Sequence, residues 1–98
     1  MARFDVYRRD GKLLLDVRAD SLPYLKTRLV VPLFALDSAP RPLIDTLNPV
    51  MRFDGGEIAM MTQYAAAVSE RDLGPAQGSL VSEEYIIGRA LDMLLTGI

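Results

Sequence analysis

Two Asp-Gly pairs, each set between short runs that alternate apolar and polar residues, constrain this chain more than any other feature. Such a pair supplies the positive φ angles that a tight antiparallel hairpin needs. The first, in Arg9-Asp10-Gly11-Lys12, separates Phe4-Asp5-Val6-Tyr7-Arg8 from Leu13-Leu14-Leu15-Asp16-Val17-Arg18. Because strand side chains alternate between faces, Phe4 and Val6 fall on one candidate inward row and Leu13, Leu15 and Val17 on its neighbour. The second, in Asp54-Gly55-Gly56-Glu57, separates Val50-Met51-Arg52-Phe53 from Ile58-Ala59-Met60-Met61-Thr62. A chain with two such hairpins builds an antiparallel sheet.

The β-branched run Thr27-Arg28-Leu29-Val30-Val31-Pro32-Leu33 predicts a further strand, with Pro32 at its margin because proline cannot donate a ladder hydrogen bond. Asp37 to Pro42, with two prolines and a serine, reads as a loop, and Leu43-Ile44-Asp45-Thr46-Leu47 as a short helical turn. Ala65-Ala66-Ala67-Val68 extends the sheet, and Ser69 to Ser79 forms a surface loop.

A helix is expected from about Ser82, its N-cap, to Leu95, with Glu83 and Glu84 placing negative charge on the first turn. Ile87, Leu91, Leu94 and Ile98 recur at helical spacing, Ile86, Ala90 and Met93 line a neighbouring face, and Arg89, Asp92 and Thr96 leave a narrow polar stripe. One apolar stripe can face the sheet while the other meets a partner, and a two-fold homodimer is the commonest such arrangement. The fold class is therefore β-rich α+β: a small antiparallel, barrel-like sheet with a C-terminal α-helix, in one domain over residues 1–98.

Composition excludes much. The 98 residues contain no cysteine and no histidine, which removes disulfides, thiolate nucleophiles, the commonest zinc ligands and every triad built on imidazole. No catalytic residue, metal ligand or cofactor site is assigned. A formal charge of -2 argues against nucleic acid as the main partner. No apolar run is long enough to span a membrane, and Met1-Ala2-Arg3-Phe4-Asp5 lacks the apolar stretch of a signal peptide, so the cytoplasm is the expected compartment.

Most conspicuous groups have plain structural readings. Glu83 and Glu84 are adjacent on a helix and diverge by about 100°, so they do not converge on a substrate. Asp54 to Glu57 lacks the ligand spacing of a calcium loop and the lysine of a P-loop. The methionines read as core filler. Arg8, Arg9 and Lys12 cluster beside the first hairpin; solvated charge is the simpler account, and reception of an acidic partner segment the alternative. Gly97-Ile98 reads either as a C-cap with its packing residue or as a compact apolar anchor for a partner.

The marking segments, in order, are Phe4-Asp5-Val6-Tyr7, Leu29-Val30-Val31-Pro32-Leu33, Leu47-Asn48-Pro49-Val50, Met60-Met61-Thr62 and Asp92-Met93-Leu94-Leu95-Thr96-Gly97-Ile98. This series resembles, collinearly, the CcdB family of toxins from toxin–antitoxin pairs: its opening strand, its Val-Ile-Pro-Leu strand, its Leu-Tyr-Pro-Val segment, its Met-Met-Thr, and its closing helix ending in Trp-Gly-Ile. The resemblance implies a dimer of small barrel-like subunits without catalysis, acting in plasmid maintenance or stress-linked growth arrest. It also implies two partners: the DNA gyrase A subunit, trapped on cleaved DNA, and a CcdA-like antitoxin whose disordered tail folds onto the toxin. Gly97 and Ile98 match the gyrase-binding motif.

Thr96 stands where the family has a tryptophan that inserts into gyrase, and the chain has no tryptophan at all. Removing an aromatic anchor typically costs about 2 kcal/mol, or roughly thirtyfold in affinity. The departure leaves gyrase poisoning through compensating contacts, poisoning of a different target, and an attenuated relative that keeps antitoxin binding. The competing enzyme reading is a MazF-like ribonuclease, in which a carboxylate and arginines such as Arg28 or Arg52 would replace the missing histidine.

Overall fold

The computed structural model describes residues Met1–Ile98. Both hairpins form where the Asp-Gly pairs require them. Strand β1 (Asp5–Arg9) pairs antiparallel with β2 (Lys12–Asp16), joined by Asp10 and Gly11 at φ 51° and 78°. Strands β4 (Val50–Phe53) and β5 (Gly56–Met60) are joined likewise by Asp54 and Gly55 at φ 52° and 81°. Positive φ at both central residues gives a turn whose twist matches the flanking strands.

Strand β3 (Thr27–Ala35) is the spine of the sheet. One edge pairs with β2 along its middle, while the other edge changes partner, from β6 (Ala66–Ser69) at Thr27–Val30 to β5 at Leu33–Ala35. Pro32 lies inside this strand and not at its margin. Its carbonyl accepts from the Met61 amide at 3.0 Å, so its missing N–H faces the gap between β6 and β5, where no ladder bond is lost.

With β7 (Gly78–Ser79) on β1, the strand order is β4-β5-β3-β2-β1-β7, with β6 off that path on β3. The sheet curls until its two ends approach: the Phe53 ring of β4 lies so close over Gly78 of β7 that a Cβ there would stand 2.9 Å from two ring carbons. The result is the expected barrel-like antiparallel sheet with a C-terminal helix.

The inward rows read from alternation meet as foreseen. Phe4, Val6, Leu15, Val17, Val31, Met51, Ile58 and Met60 form one cluster, joined by Ile87 and Ala90 of α1 (Glu84–Thr96). Tyr7, Val30 and Leu73 form a smaller cluster. Met51, Met60 and Met61 are buried, as core filler should be, whereas Met93 is only partly buried and Met1 is exposed, so the expectation holds for three of the five methionines.

Four local expectations give way. Leu43–Leu47 is a turn without a helix, closed by the Asn48 amide on the Ile44 carbonyl at 2.8 Å. Ser69–Ser79 is more than a surface loop: Leu73 is buried beneath it and Gly78–Ser79 pairs with β1. Ser82 falls inside a 3₁₀ turn, Val81–Glu83, so Glu83 occupies the N-cap of α1, and the Ser79 hydroxyl accepts from the Val81 amide instead. The buried line of α1 runs through Ile87 and Ala90 with Leu91 packed beside them, whereas Leu94 and Ile98 point outward. Apolar periodicity located the helix; packing decided which of two apolar stripes faces in.

Candidate functional site

The chain closes on an exposed apolar group at the end of α1. Gly97 adopts the left-handed conformation, φ 80° and ψ 14°, and its amide donates to the Met93 carbonyl at 3.0 Å. A residue with a Cβ is strained there, so glycine is the natural helix terminator. Ile98 therefore turns off the helix axis and does not pack back on the core: it is 84% exposed, beside Leu95 at 77% and Leu94 at 40%. The Thr96 hydroxyl donates to the Asp92 carbonyl at 2.7 Å. Thr96, Gly97 and Ile98 all lie exposed at this end of the chain.

Further back on the helix, Tyr85 and Ile86 are exposed, and with Pro49, Val50, Thr46 and Arg89 they line a cleft of about 260 Å³. The Arg89 guanidinium stands 6.0 Å from the Tyr85 ring centre. Tyr85, Ile86, Leu94, Leu95 and Ile98 are apolar side chains that the fold of one chain leaves exposed along this helix and its end.

A second polar feature was not read from the sequence. The Asp16 carboxylate, fully buried, accepts from Arg28 Nε at 2.6 Å and from the Arg18 amide at 3.1 Å. Arg28 is 2% exposed and also faces Asp20 and Glu70, each at 3.6 Å, while Arg18 donates to the carbonyls of Leu25 and Thr27. Burial pushes the Asp16 carboxyl above its ordinary value, and the hydrogen bond from Arg28 pulls it part of the way back. Burial works against the Arg28 charge, but the Asp16 carboxylate outweighs it and the guanidinium is held above its ordinary value. Burial, followed by the charge of Asp5, pushes the Tyr7 hydroxyl up as well. The only sequence signal was an alternation in which Asp16 precedes an inward Val17, a pattern equally consistent with a solvated carboxylate.

This network removes Arg28 from any substrate-facing role. Arg52 lies on β4, at a hollow shared with Arg41, Asp37 and Glu57, and Arg28 does not line it. The two arginines named for phosphate chemistry do not converge. No three of the chain's carboxylates gather where they could hold a metal ion, and no helix is long and apolar enough to cross a membrane.

Among solved structures, the chain resembles an endoribonuclease in complex with its cognate antitoxin from a mycobacterial species. The TM-score is 0.74 at 19% identity, covering 97% of this chain and 94% of that one. An Mtb toxin gives a TM-score of 0.70 at 16% identity, covering 88% of this chain and 94% of that one. At such identities the likeness shows the fold, which is that of toxins, and function is argued from the site. No curated protein matches the chain significantly. The family described as CcdB protein matches residues 3–97, nearly the whole length. The chain belongs to the CcdB family.

Proposed function

We propose that this chain is the toxin of a toxin–antitoxin pair, acting in the cytoplasm without catalysis by binding the DNA gyrase A subunit through the end of α1. The observation that carries this reading is the left-handed turn at Gly97, which leaves Ile98 exposed beside Leu94 and Leu95. An apolar cluster on a well-anchored helix suits insertion into a protein groove. Thr96 supplies a methyl group where the family has a tryptophan, so binding is weaker than for a tryptophan-bearing relative. The unit is residues 1–98 as a homodimer, supported by the apolar side chains that α1 leaves outside, Tyr85 and Ile86 among them. Its neutralising partner is a CcdA-like antitoxin, a reading supported by the structural neighbour solved with its cognate antitoxin.

A second reading, ribonuclease activity, is favoured by the name of that same neighbour, an endoribonuclease. Against it stands Arg28, held by Asp16 and away from solvent. Incubation of purified protein with structured and single-stranded RNA separates the two: the gyrase reading expects intact RNA together with inhibited supercoiling.

A further inference from the structure

One inward row of the sheet ends in a charge. Arg8 of β1 stands opposite Leu13 of β2, Leu13 opposite Leu33 of β3, and Leu33 opposite Met60 of β5. Directly opposed strand residues share a face, and Arg8 follows the buried Val6 by two, so this row lies on the core side of the sheet. At its β1 end an arginine takes the place of a core residue, next to the β1–β2 turn. A cavity of about 370 Å³ lies there, floored by Leu13, Leu33 and Ile58, with Arg8, Lys12 and Ser38 among its polar lining.

The basic cluster of the first hairpin divides at this cavity. Arg9 lies 3.9 Å from the carboxylates of Asp10 and Asp72. Arg8 and Lys12 take part in none of the six ion pairs, and no carboxylate lines the cavity. A hollow with an apolar floor, a few polar groups and a volume of roughly 300–1,000 Å³ has the form of a small-molecule site. Two unpaired cations over an aliphatic floor are complementary to an anion with an aliphatic body. An added peptide strand fits less well, because Leu13, Leu33 and Ile58 each pair with neighbouring strands on both sides and leave the floor no open backbone edge. A phosphate backbone would match the cations but gain nothing from leucine and isoleucine.

We infer that this cavity binds a free medium-chain carboxylate, with the alkyl chain over Leu13, Leu33 and Ile58 and the head group held by Arg8 and Lys12. No residue of α1 lines the site, and its ligand chemistry does not depend on the toxin reading. Two separable contributions act there. Apolar burial rewards chain length, by up to about fourfold in affinity for each fully buried methylene. The cations select the sign of the head group, and their attraction weakens as salt rises.

The test is a titration of isotopically labelled full-length protein with octanoate, followed by amide chemical shifts. Parallel titrations use butanoate, hexanoate, octan-1-ol, octyltrimethylammonium and the peptide acetyl-Glu-Leu-Glu-Phe-Asp-amide. Octanoate is expected to shift the amides of Leu13, Leu33, Phe34 and Ile58 saturably, with affinity rising at least about twofold per methylene from butanoate. In Arg8→Gln/Lys12→Gln the octanoate affinity should fall about fivefold while that of octan-1-ol is unchanged, which separates loss of the cations from damage to the cavity. Both side chains are exposed, so the variant should fold, and a thermal melt checks this. Absence of saturable shifts, an affinity indifferent to chain length, equal binding of octyltrimethylammonium, or shifts centred on α1 would overturn the proposal. Tighter binding of the peptide than of octanoate would also overturn it, by giving the cavity to a protein segment.

Discussion

Arg28 Nε donates to the Asp16 carboxylate at 2.6 Å in a setting where neither side chain is more than 2% exposed. Such a pair contributes little net stability compared with apolar packing, but losing one member strands the other. Arg28→Met should therefore destabilise the fold by about 3 kcal/mol at neutral pH, and adding Asp16→Asn should recover a substantial part of it. Chemical denaturation of the two singles and the double provides the cycle. Strictly additive losses would show that the two residues are not coupled.

The pH dependence follows with a definite sign. The folded-state pKa of Asp16 is raised by burial, so its contribution to stability is fully present below the ordinary carboxylate value of 3.8 and is lost as pH rises through the raised one. Arg28→Met removes the main counterweight, so its cost should grow with pH across that window and level off above it. Urea melts at a series of pH values check the slope; a cost that shrinks as pH rises would contradict it.

Closure of the sheet depends on Gly78 having no side chain, because Phe53 Cε1 and Cζ would lie 2.9 Å from a Cβ there. Gly78→Ala should cost about 1–2 kcal/mol as the ring is pushed aside. Combining it with Phe53→Leu should cost less than the sum of the two changes, read from their melting temperatures.

The backbone and the core were largely legible in the sequence, and the closure and the ion network were not. Asp10-Gly11 and Asp54-Gly55 fix their hairpins through local sterics, so a short window is enough to recognise them. Whether Phe53 of β4 meets Gly78 of β7 depends on curvature accumulated across the whole sheet. Arg28 likewise reads as one more alternating cation until Glu70, Asp16 and Asp20 are brought around it from three other segments. The helix tip lies between these cases: Gly97 as a C-cap was evident, but only the structure separates an Ile98 packed on the last turn from one that projects into solvent.

Gly97 sets the direction of Ile98, since its φ of 80° suits glycine and strains an alanine by about 1 kcal/mol. Gly97→Ala should lower the melting temperature by no more than a few degrees and weaken gyrase binding, whereas Gly97→Asn, which tolerates the left-handed region, should retain more of both. A gyrase affinity that is indifferent to both would place recognition elsewhere.

The homodimer predicts a solution mass near twice the 10.8 kDa of one chain. Ile86→Lys, on the outward side of α1, should lower that mass toward the monomer while the circular dichroism spectrum is preserved. A monomeric natural chain at micromolar concentration would contradict the assembly.

The most direct measurement is a gyrase supercoiling and DNA-cleavage assay with the purified natural chain, Thr96→Trp and Ile98→Asp. Binding through the helix tip predicts that the natural chain traps cleaved DNA, that Thr96→Trp does so at a concentration roughly thirtyfold lower, and that Ile98→Asp does not. Absence of trapping by both the natural chain and Thr96→Trp, or full trapping by Ile98→Asp, would contradict it.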